Sequence, residues 1–413
     1  MEFKIENNNL IISPKGVIDS TNAESVGNEI AKIRTGNKSG NLVLDFSEIK
    51  YVSSAGLRQI LRIRKEEKVL NIINVSNDVY DVFDMTGFVE MMNISKAYRK
   101  LSVDGCELIG EGSNGIVYRI NDDTIIKVYK NNDALEDIKR EKELARKALV
   151  LGINTAIPYD VVQVGDKYGS VFELLSSKTI AKLLDEEPEN IDKYAKIFTD
   201  LLLSVHHTVV SENTFPQVKD TVIDWVQFVE KYLSKESYAK LLKLVKDVPY
   251  DSHVIHGDYH PGNVHYANNE AILIDMDTLS TGNPVFEFAS IFNALIGYSS
   301  LNHNLVKDFL GFNFEIAQKF LNKVMEIYFN TTDKNFIESQ LSKAKIIGFT
   351  RILRRTIKRE PDNQELIRYA QNEIEENFVQ NFNNKFHSHD LNKTENTKKD
   401  NTSNREEITC LHV

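Results

Sequence analysis

Short apolar runs separated by polar residues dominate the first hundred positions. Residues 42–46 and 70–75 are mostly apolar and bounded by polar residues, a pattern that predicts strands covered on both faces. Between them, Leu57, Ile60, Leu61 and Ile63 recur at helical spacing, directly after serines that can cap a first helical turn. A second helix is predicted after Ser76, with one side formed by Val79, Val82, Phe83 and Met85. The pattern predicts a compact α/β domain over residues 1–100.

The pattern changes near Gly105. Residues 116–120 and 124–129 alternate between apolar and polar, and the polar segment between them predicts a β-hairpin. Helical patterns dominate from about Pro188 onward, as in residues 194–206, 222–233 and 336–358. The sequence predicts a second, α+β domain over residues 105–385. Residues 386–413 are too polar to offset their ordering entropy, and we expect a disordered tail there.

Composition narrows the class of protein. The 413 residues are 41% apolar and 27% charged, as in soluble globular proteins, and the length suggests two to three domains. A formal charge of -10 argues against a nucleic-acid partner. The two cysteines exclude a disulfide framework or a multi-cysteine metal site, and no stretch has the length and hydrophobicity of a membrane span. We therefore expect a cytoplasmic protein without a membrane partner.

A glycine-rich string opens the second domain. Gly110, Gly112 and Gly115, followed by Val117, form a GxGxxG pattern that suits dinucleotide and ATP sites alike. A dinucleotide site requires a helix at the last glycine, whereas this chain continues as a hairpin, which favours glycines that close over the phosphates of ATP. Lys127 on the second hairpin strand is placed to pair with α- and β-phosphate oxygens.

The helix that follows carries two candidate partners for this lysine. Glu141 is the first candidate to hold Lys127 in its phosphate-binding position, and Glu143 competes with it. Further along, Glu173 and Leu175 lie in a segment that resembles a strand leaving one lobe for another. The backbone of that segment is expected to meet the adenine base.

The most specific string is HGDYHPGN at residues 256–263, followed by IDMD at residues 274–277. Phosphoryl transfer needs a carboxylate near the acceptor hydroxyl and oxygen ligands for Mg2+ on the phosphates. Asp258, Asn263 and Asp275 supply these groups, and the five-residue step from Asp258 to Asn263 allows one loop to present two of them. For His256, a structural hydrogen bond is favoured over metal coordination because no partner lies at zinc spacing.

These motifs resemble the aminoglycoside phosphotransferase and choline kinase branch of the protein-kinase-like fold. The resemblance covers residues 105–384 and implies a bilobal α+β domain that uses ATP and Mg2+. It implies that Asp258 is the catalytic residue, that Asn263 and Asp275 are the metal ligands, and that Glu141 is the partner of Lys127. The chain departs from the pattern GDP…FDxA after the metal aspartate, where it has Asn283 and Glu287.

Residues 44–57 resemble the STAS domain of anti-sigma factor antagonists, and the likeness covers most of residues 1–100. In those antagonists, a serine at a helix start is phosphorylated, and Ser54 corresponds to it here. The usual preceding aspartate is replaced by Ser53, so the alternative is that both serines only cap the helix. The resemblance implies a regulatory protein partner for this α/β domain.

Together these features predict an ATP-dependent phosphotransferase that acts on a small-molecule hydroxyl and carries a STAS module for regulation or partner binding. The alternative is a partner-switching regulator whose kinase-like domain senses nucleotide or phosphorylates a protein serine. The acceptor stays open among an amino alcohol, a sugar, an aminoglycoside and a protein hydroxyl. The acidic stretch 185–189 is a candidate to attract a cationic acceptor, with a solvated charge run as the simpler interpretation.

Overall fold

The computed structural model describes residues 1–37, 40–112, 114–131 and 134–376. The predicted tail, residues 386–413, lies outside the described residues. The described chain forms two compact units. The first contains Met1–Gly105 and Val161–Gly169, and the second contains Cys106–Asp160 and the described residues from Ser170 onward.

The first unit is an α/β domain. Its strands are β1 (Glu2–Glu6), β2 (Asn9–Ser13), β3 (Lys15–Ile18), β4 (Asn41–Asp45), β5 (Glu48–Val52), β6 (Leu70–Val75), β7 (Asn93–Lys96) and β8 (Arg99–Lys100). Its helices are α1 (Ala23–Gly36), α2 (Ser54–Glu66), α3 (Asn77–Met85) and α4 (Phe88–Met91). The main sheet has the order β1-β2-β4-β6-β7, in which β1 is antiparallel to β2 and the remaining pairs are parallel.

The two apolar runs form strands β4 and β6, as predicted. β4 lies between β2 and β6, and its residues Leu42, Val43 and Leu44 are buried. The helix predicted from the serines is α2, which buries Leu57, Ile60 and Ile63. The prediction was wrong for Met85, which is 79% exposed at the end of α3. Met85 lies six residues after Val79, about 240° around the helix, so it turns away from the face that α3 buries.

The second unit begins with strands and continues mainly as helices. Its strands are β9 (Glu107–Glu111), β10 (Gly115–Arg119), β11 (Thr124–Tyr129), β14 (Lys178–Thr179), β15 (Val254–Ile255), β16 (Val264–Ala267), β17 (Glu270–Leu273) and β18 (Ser280–Thr281). Strands β12 (Pro158–Val164) and β13 (Lys167–Glu173) are divided between the two units at Asp160 and Ser170. Its helices are α5 (Leu135–Val150), α6 (Ile180–Glu186), α7 (Ile191–His206), α8 (Val218–Val229), α9 (Lys235–Asp247), α10 (Val285–Leu295), α11 (Asn304–Leu310), α12 (Phe314–Tyr328) and α13 (Lys334–Arg359). Residues 364–376 are also helical.

The predicted hairpin is confirmed in the pairing of β10 with β11. Strands β13, β11, β10 and β9 lie side by side in that order. The predicted helical segments are also found, as α7, α8 and α13. One extended apolar core joins these helices, and α10 is buried along almost its whole length. In the described part of the chain, no helix combines the length and the apolar character needed to cross a membrane.

Candidate active site

A loop between β15 and β16 presents the HGDYHPGN string. The amide of Asn263 donates to the carbonyl of Asp258 at 3.0 Å, so the two residues of the five-residue step lie in one tight loop. Strand β16 pairs with β17, and the N–H of Ile274 donates to the Asn263 carbonyl at 3.0 Å. This hairpin brings Asn263 beside the strand end that carries Asp275.

His256 ties this loop to the same strand end. Its ring is fully buried, with Nε2 3.1 Å from the Ile274 carbonyl and Nδ1 accepting from the N–H of Asp258 at 3.3 Å. Because Nδ1 accepts that N–H, Nε2 carries the proton and donates to the carbonyl. The hydrogen-bonding role expected for His256 agrees with this geometry.

Lys127 lies between two carboxylates. Its Nζ is 3.2 Å from Glu141 Oε1 and 2.7 Å from Asp275 Oδ1, so it links β11, α5 and the end of β17. Burial works to lower the pKa of Lys127, but Glu141 and Asp275 outweigh burial and raise it. The lysine is therefore a fixed positive charge at the point where the three elements meet.

Glu141, and not Glu143, contacts Lys127. Glu141 is 3% exposed and also accepts a hydrogen bond from the Tyr129 hydroxyl. Burial raises the pKa of Glu141, against the influence of Lys127. Glu143 instead forms a surface pair with Arg146 at 3.0 Å. The two glutamates are two residues apart on α5, so their side chains point in different directions, and Glu141 is the one that faces the sheet.

The glycine-rich string forms the turn between β9 and β10. Gly110 pairs with Val117, and the N–H of Gly112 donates to the Gly115 carbonyl at 2.9 Å. A Cβ at Gly115 would lie 2.8 Å from the Val128 carbonyl oxygen, which is too close for any side chain. Glycine at position 115 therefore allows β10 to pair closely with β11. Phosphate binding by the glycines stays a prediction.

Arg351, on α13, contacts Asp258 and was not identified from the sequence. Its Nη2 donates to Asp258 Oδ1 at 3.0 Å, and its Nη1 donates to the Gly257 carbonyl at 3.0 Å and to Ser290 Oγ at 3.2 Å. Burial works to raise the pKa of Asp258, but Arg351, followed by His260 and His256, lowers it. The carboxylate is thus kept ionised while its side chain stays 39% exposed.

Glu287 is a second residue whose role the sequence did not reveal. It is fully buried on α10 and accepts hydrogen bonds from the N–H groups of His256, Gly257 and Tyr259. His206 lies near it, with Nε2 3.8 Å from Glu287 Oε2. Burial works to raise the pKa of Glu287, but His206 and the backbone of His256 help to lower it. Glu287 departs from the family pattern GDP…FDxA. Its carboxylate nevertheless holds the backbone of the loop through hydrogen bonds from three N–H groups.

Several polar groups of the segment expected to contact adenine already form hydrogen bonds within the protein. The Glu173 N–H donates to the Ile157 carbonyl at 3.2 Å, and the Leu174 N–H donates to the Asp123 carbonyl at 2.7 Å. The Glu173 side chain accepts from the Ile157 N–H at 2.8 Å. The Leu175 carbonyl accepts from the Ser177 N–H. Adenine recognition by Glu173 and Leu175 stays a prediction.

Asn263 and Asp275 suit a magnesium ion. The Asn263 amide nitrogen is committed to the Asp258 carbonyl, which orients its oxygen away from that contact, and Asp275 offers a second oxygen beyond the one that Lys127 holds. Mg2+ is typically bound through one or two protein oxygens together with substrate phosphates. Within the described residues, no group of three or more His, Cys, Asp and Glu side chains forms a metal site.

Two protein families match the chain. Residues 105–310 match the family described as phosphotransferase enzyme family, and residues 1–101 match the STAS domain. Among curated proteins, none matches the sequence.

The chain is similar to solved structures of aminoglycoside phosphotransferases. ADP-bound APH(2'')-Ib is 18% identical, covers 65% of this chain and 91% of its own, and has a TM-score of 0.47. A thermostable mutant of APH(4)-Ia, in a ternary complex with AMP-PNP and hygromycin B, is 13% identical, covers 66% and 92%, and has a TM-score of 0.48. The GDP and kanamycin complex of APH(2'')-IIIa is 15% identical, covers 73% and 99%, and has a TM-score of 0.47.

Proposed function

We propose that this protein, whose residues 105–310 match the phosphotransferase enzyme family and whose residues 1–101 match the STAS domain, transfers the γ-phosphoryl group of Mg-ATP to a hydroxyl group of a small molecule. The observation that carries the proposal is the contact of Lys127 with both Glu141 and Asp275, next to the loop that holds Asp258 and Asn263. A buried lysine held by two carboxylates is suited to phosphate oxygens once a ligand arrives.

Each residue has a role in this reaction. Asp258 orients the acceptor hydroxyl and takes its proton as the oxygen bonds to the γ-phosphorus, while the bond to the β-phosphate oxygen breaks and ADP leaves. Lys127 pairs with phosphate oxygens, and the glycines leave room for the backbone to close over the phosphates. Asn263 and Asp275 would hold Mg2+, which supplies positive charge to the phosphates when it is bound.

The proposal is tested with the purified full chain and Mg-ATP. ADP release is measured with sugars, amino alcohols, hydroxy acids, phosphorylated polyols and aminoglycosides, and each product is identified by mass spectrometry. We expect one acceptor class to stimulate ADP release and to gain one phosphoryl group. Release that no acceptor stimulates, with no phosphorylated product, would contradict the proposal.

A second candidate function is phosphorylation of Ser54 in a partner switch. Ser53 Oγ accepts from the N–H groups of Ala55 and Gly56 at 3.2 and 3.4 Å, so Ser53 caps α2. Ser54 is the exposed first residue of α2, and in the described part of the chain its hydroxyl takes no part in that cap. A phosphate there is favoured by the helix N-terminus. Label from γ-labelled ATP that appears on the wild type and not on Ser54→Ala supports this function, and unchanged label in Ser54→Ala excludes it.

A further inference from the structure

Four cationic side chains lie along one face of α13, and the first of them contacts Asp258. Arg351, Arg354, Arg355 and Lys358 follow one another at the three- and four-residue spacing that places side chains on one side of a helix. Arg351 is paired with Asp258. We call Arg351, Arg354, Arg355 and Lys358 the α13 cation row.

Aromatic rings lie against Arg354 and Arg355, two members of the α13 cation row. The guanidinium carbon of Arg354 lies 5.9 Å from the ring centres of both Trp225 and Phe228, and that of Arg355 lies 5.7 Å from the ring centre of Tyr298. A cation over an aromatic face is attracted through its charge. The contact does not consume the N–H donors, so these groups stay available to a ligand.

Few carboxylates oppose this positive charge. Within the described residues, Arg351 has one ion pair, with Asp258, whereas Arg354 and Arg355 form none. The exposed Asp224 on α8 acts on Arg354 only from a distance. Burial, followed by the like charge of Arg351, lowers the pKa of Arg354. An anion bound here would offset both effects.

The Tyr298 hydroxyl adds a polar group to the same place. It is buried beside the Arg355 guanidinium, and in the described part of the chain no acceptor is found for its O–H. It belongs to the turn after α10, next to the Arg355 guanidinium. A buried O–H without an acceptor is uncommon, because its desolvation is not compensated. An anionic ligand held by Arg355 would supply an acceptor for it.

Three of the four carboxylates in the acidic stretch that was a candidate to attract a cationic acceptor have local partners. The pairs are Asp185 with Lys182, Glu186 with Lys178 and Glu187 with the Tyr194 hydroxyl. These contacts agree with a solvated charge run. The cationic side chain that pairs with Asp258 is Arg351.

We propose that the phosphoryl acceptor carries an anionic group, a carboxylate or a phosphate, which Arg354 and Arg355 bind while its hydroxyl lies at Asp258. This inference rests on the proposed phosphotransferase function of the same site. Arg354 and Arg355 lie three and four residues beyond Arg351, about 4.5–6 Å along the helix. The acceptor hydroxyl and the anion are thus expected to be about three to five atoms apart.

Trp225 provides a binding signal that does not require turnover. It is the single tryptophan of the chain, and Arg351 and Arg354 both lie against it. The full chain is titrated, without nucleotide, with gluconate, glucose 6-phosphate, glucose and glucosamine at constant ionic strength. These probes share a sugar skeleton and differ in charge, and the first two separate carboxylate from phosphate.

We expect saturable changes in Trp225 fluorescence with gluconate or glucose 6-phosphate and none with glucose or glucosamine. Arg354→Gln and Arg355→Gln should each weaken anion binding by about tenfold or more, because each variant loses a charged hydrogen-bond donor. The control Lys345→Gln lies on the same helix but pairs with Glu338, and it should bind as the wild type does.

Three results would overturn the inference: no response to either anion, an equal response in Arg354→Gln and Arg355→Gln, or tighter binding of glucosamine. The proposed function is judged separately by ADP release with Mg-ATP. Turnover of a cationic or neutral acceptor that Arg355→Gln leaves unchanged would overturn the anionic acceptor and keep the phosphotransferase. Anion binding without turnover of any acceptor would overturn the phosphotransferase function and keep the anion site.

Discussion

Arg351 Nη2 lies 3.0 Å from Asp258 Oδ1, across 93 residues of sequence. The same guanidinium also holds the Gly257 carbonyl and Ser290 Oγ, so one side chain of α13 fixes both the loop backbone and its carboxylate. Arg351 is therefore a positioning residue for Asp258. Its contacts connect the helical core with the loop that the sequence motif identifies.

Replacing Arg351 should impair the chemical step more than nucleotide binding. Arg351→Gln removes the charge that orients Asp258, and we expect kcat to fall about tenfold or more while the KM for ATP changes little. Arg351→Lys should recover part of kcat, since it keeps the charge without the two-pronged geometry. An unchanged kcat in Arg351→Gln would show that Asp258 needs no such support.

The two glutamates of α5 provide a matched test of the Lys127 contact. Glu141→Gln removes the charge that holds Lys127, leaving the lysine to Asp275, so we expect the KM for ATP to rise about tenfold. Glu143→Gln should behave as the wild type, because Glu143 pairs only with Arg146 at the surface. Steady-state kinetics at varied ATP concentrations measure both variants. Equal effects of the two substitutions would contradict the assignment of Glu141.

Glu287 should stabilise the second unit in a pH-dependent way. Glu287→Gln loses a charged acceptor for three backbone N–H groups, and we expect it to cost about 2–4 kcal/mol at pH 7. The pKa of Glu287 lies below its ordinary value of 4.5, so its contribution is complete above that value and is lost as the pH falls through the lower folded pKa. The difference between wild type and variant should therefore narrow below about pH 4.

Urea unfolding followed by Trp225 fluorescence measures this difference, because the single tryptophan reports on the second unit alone. Glu212→Gln, at an exposed position, is the control and should leave the urea midpoint unchanged. A midpoint for Glu287→Gln that equals the wild type at pH 7 would show that the buried carboxylate is not needed.

Alanine substitutions at Gly257 and Gly152 distinguish the effect of backbone strain from the effect of a steric clash. Both have positive φ, 83° and 81°, so alanine costs about 1 kcal/mol at either position from conformation alone. A Cβ at Gly257 would also meet the Thr278 carbonyl oxygen at 2.8 Å, whereas a Cβ at Gly152 meets nothing within 4 Å. We expect Gly257→Ala to lower kcat strongly and Gly152→Ala to retain it. Equal kcat values in the two variants would argue against tight packing of the loop.

Local patterns were sufficient to predict the two apolar strands of the first domain, the β10–β11 hairpin, several helices and the motif residues. The glycine-rich hairpin, Lys127 and the HGDYHPGN loop depend on spacing within a few residues, and such spacing is visible in a single sequence. The choice between Glu141 and Glu143 depended on which side of α5 faces the sheet. The structure settles their contacts with Lys127, which the sequence left open.

Arg351 and Glu287 could not be predicted from local patterns. Each acts on the loop from a distant helix, 94 and 30 residues from Gly257, and each is a common residue type in an amphipathic or apolar helix. Glu287 was noted only as a departure from a family pattern. The signal that it is functional is its burial within an almost wholly apolar helix, which depends on tertiary packing.

The most direct test of the phosphotransferase account is ADP release by Asp258→Asn, with the acceptor identified in the screen or with water alone. We expect a loss of about a hundredfold or more, since the variant cannot take the acceptor proton, together with ATP binding within about twofold of the wild type by calorimetry. The control Asp200→Asn, an exposed residue paired with Lys196, should retain full activity. Near-normal ADP release by Asp258→Asn would contradict the account.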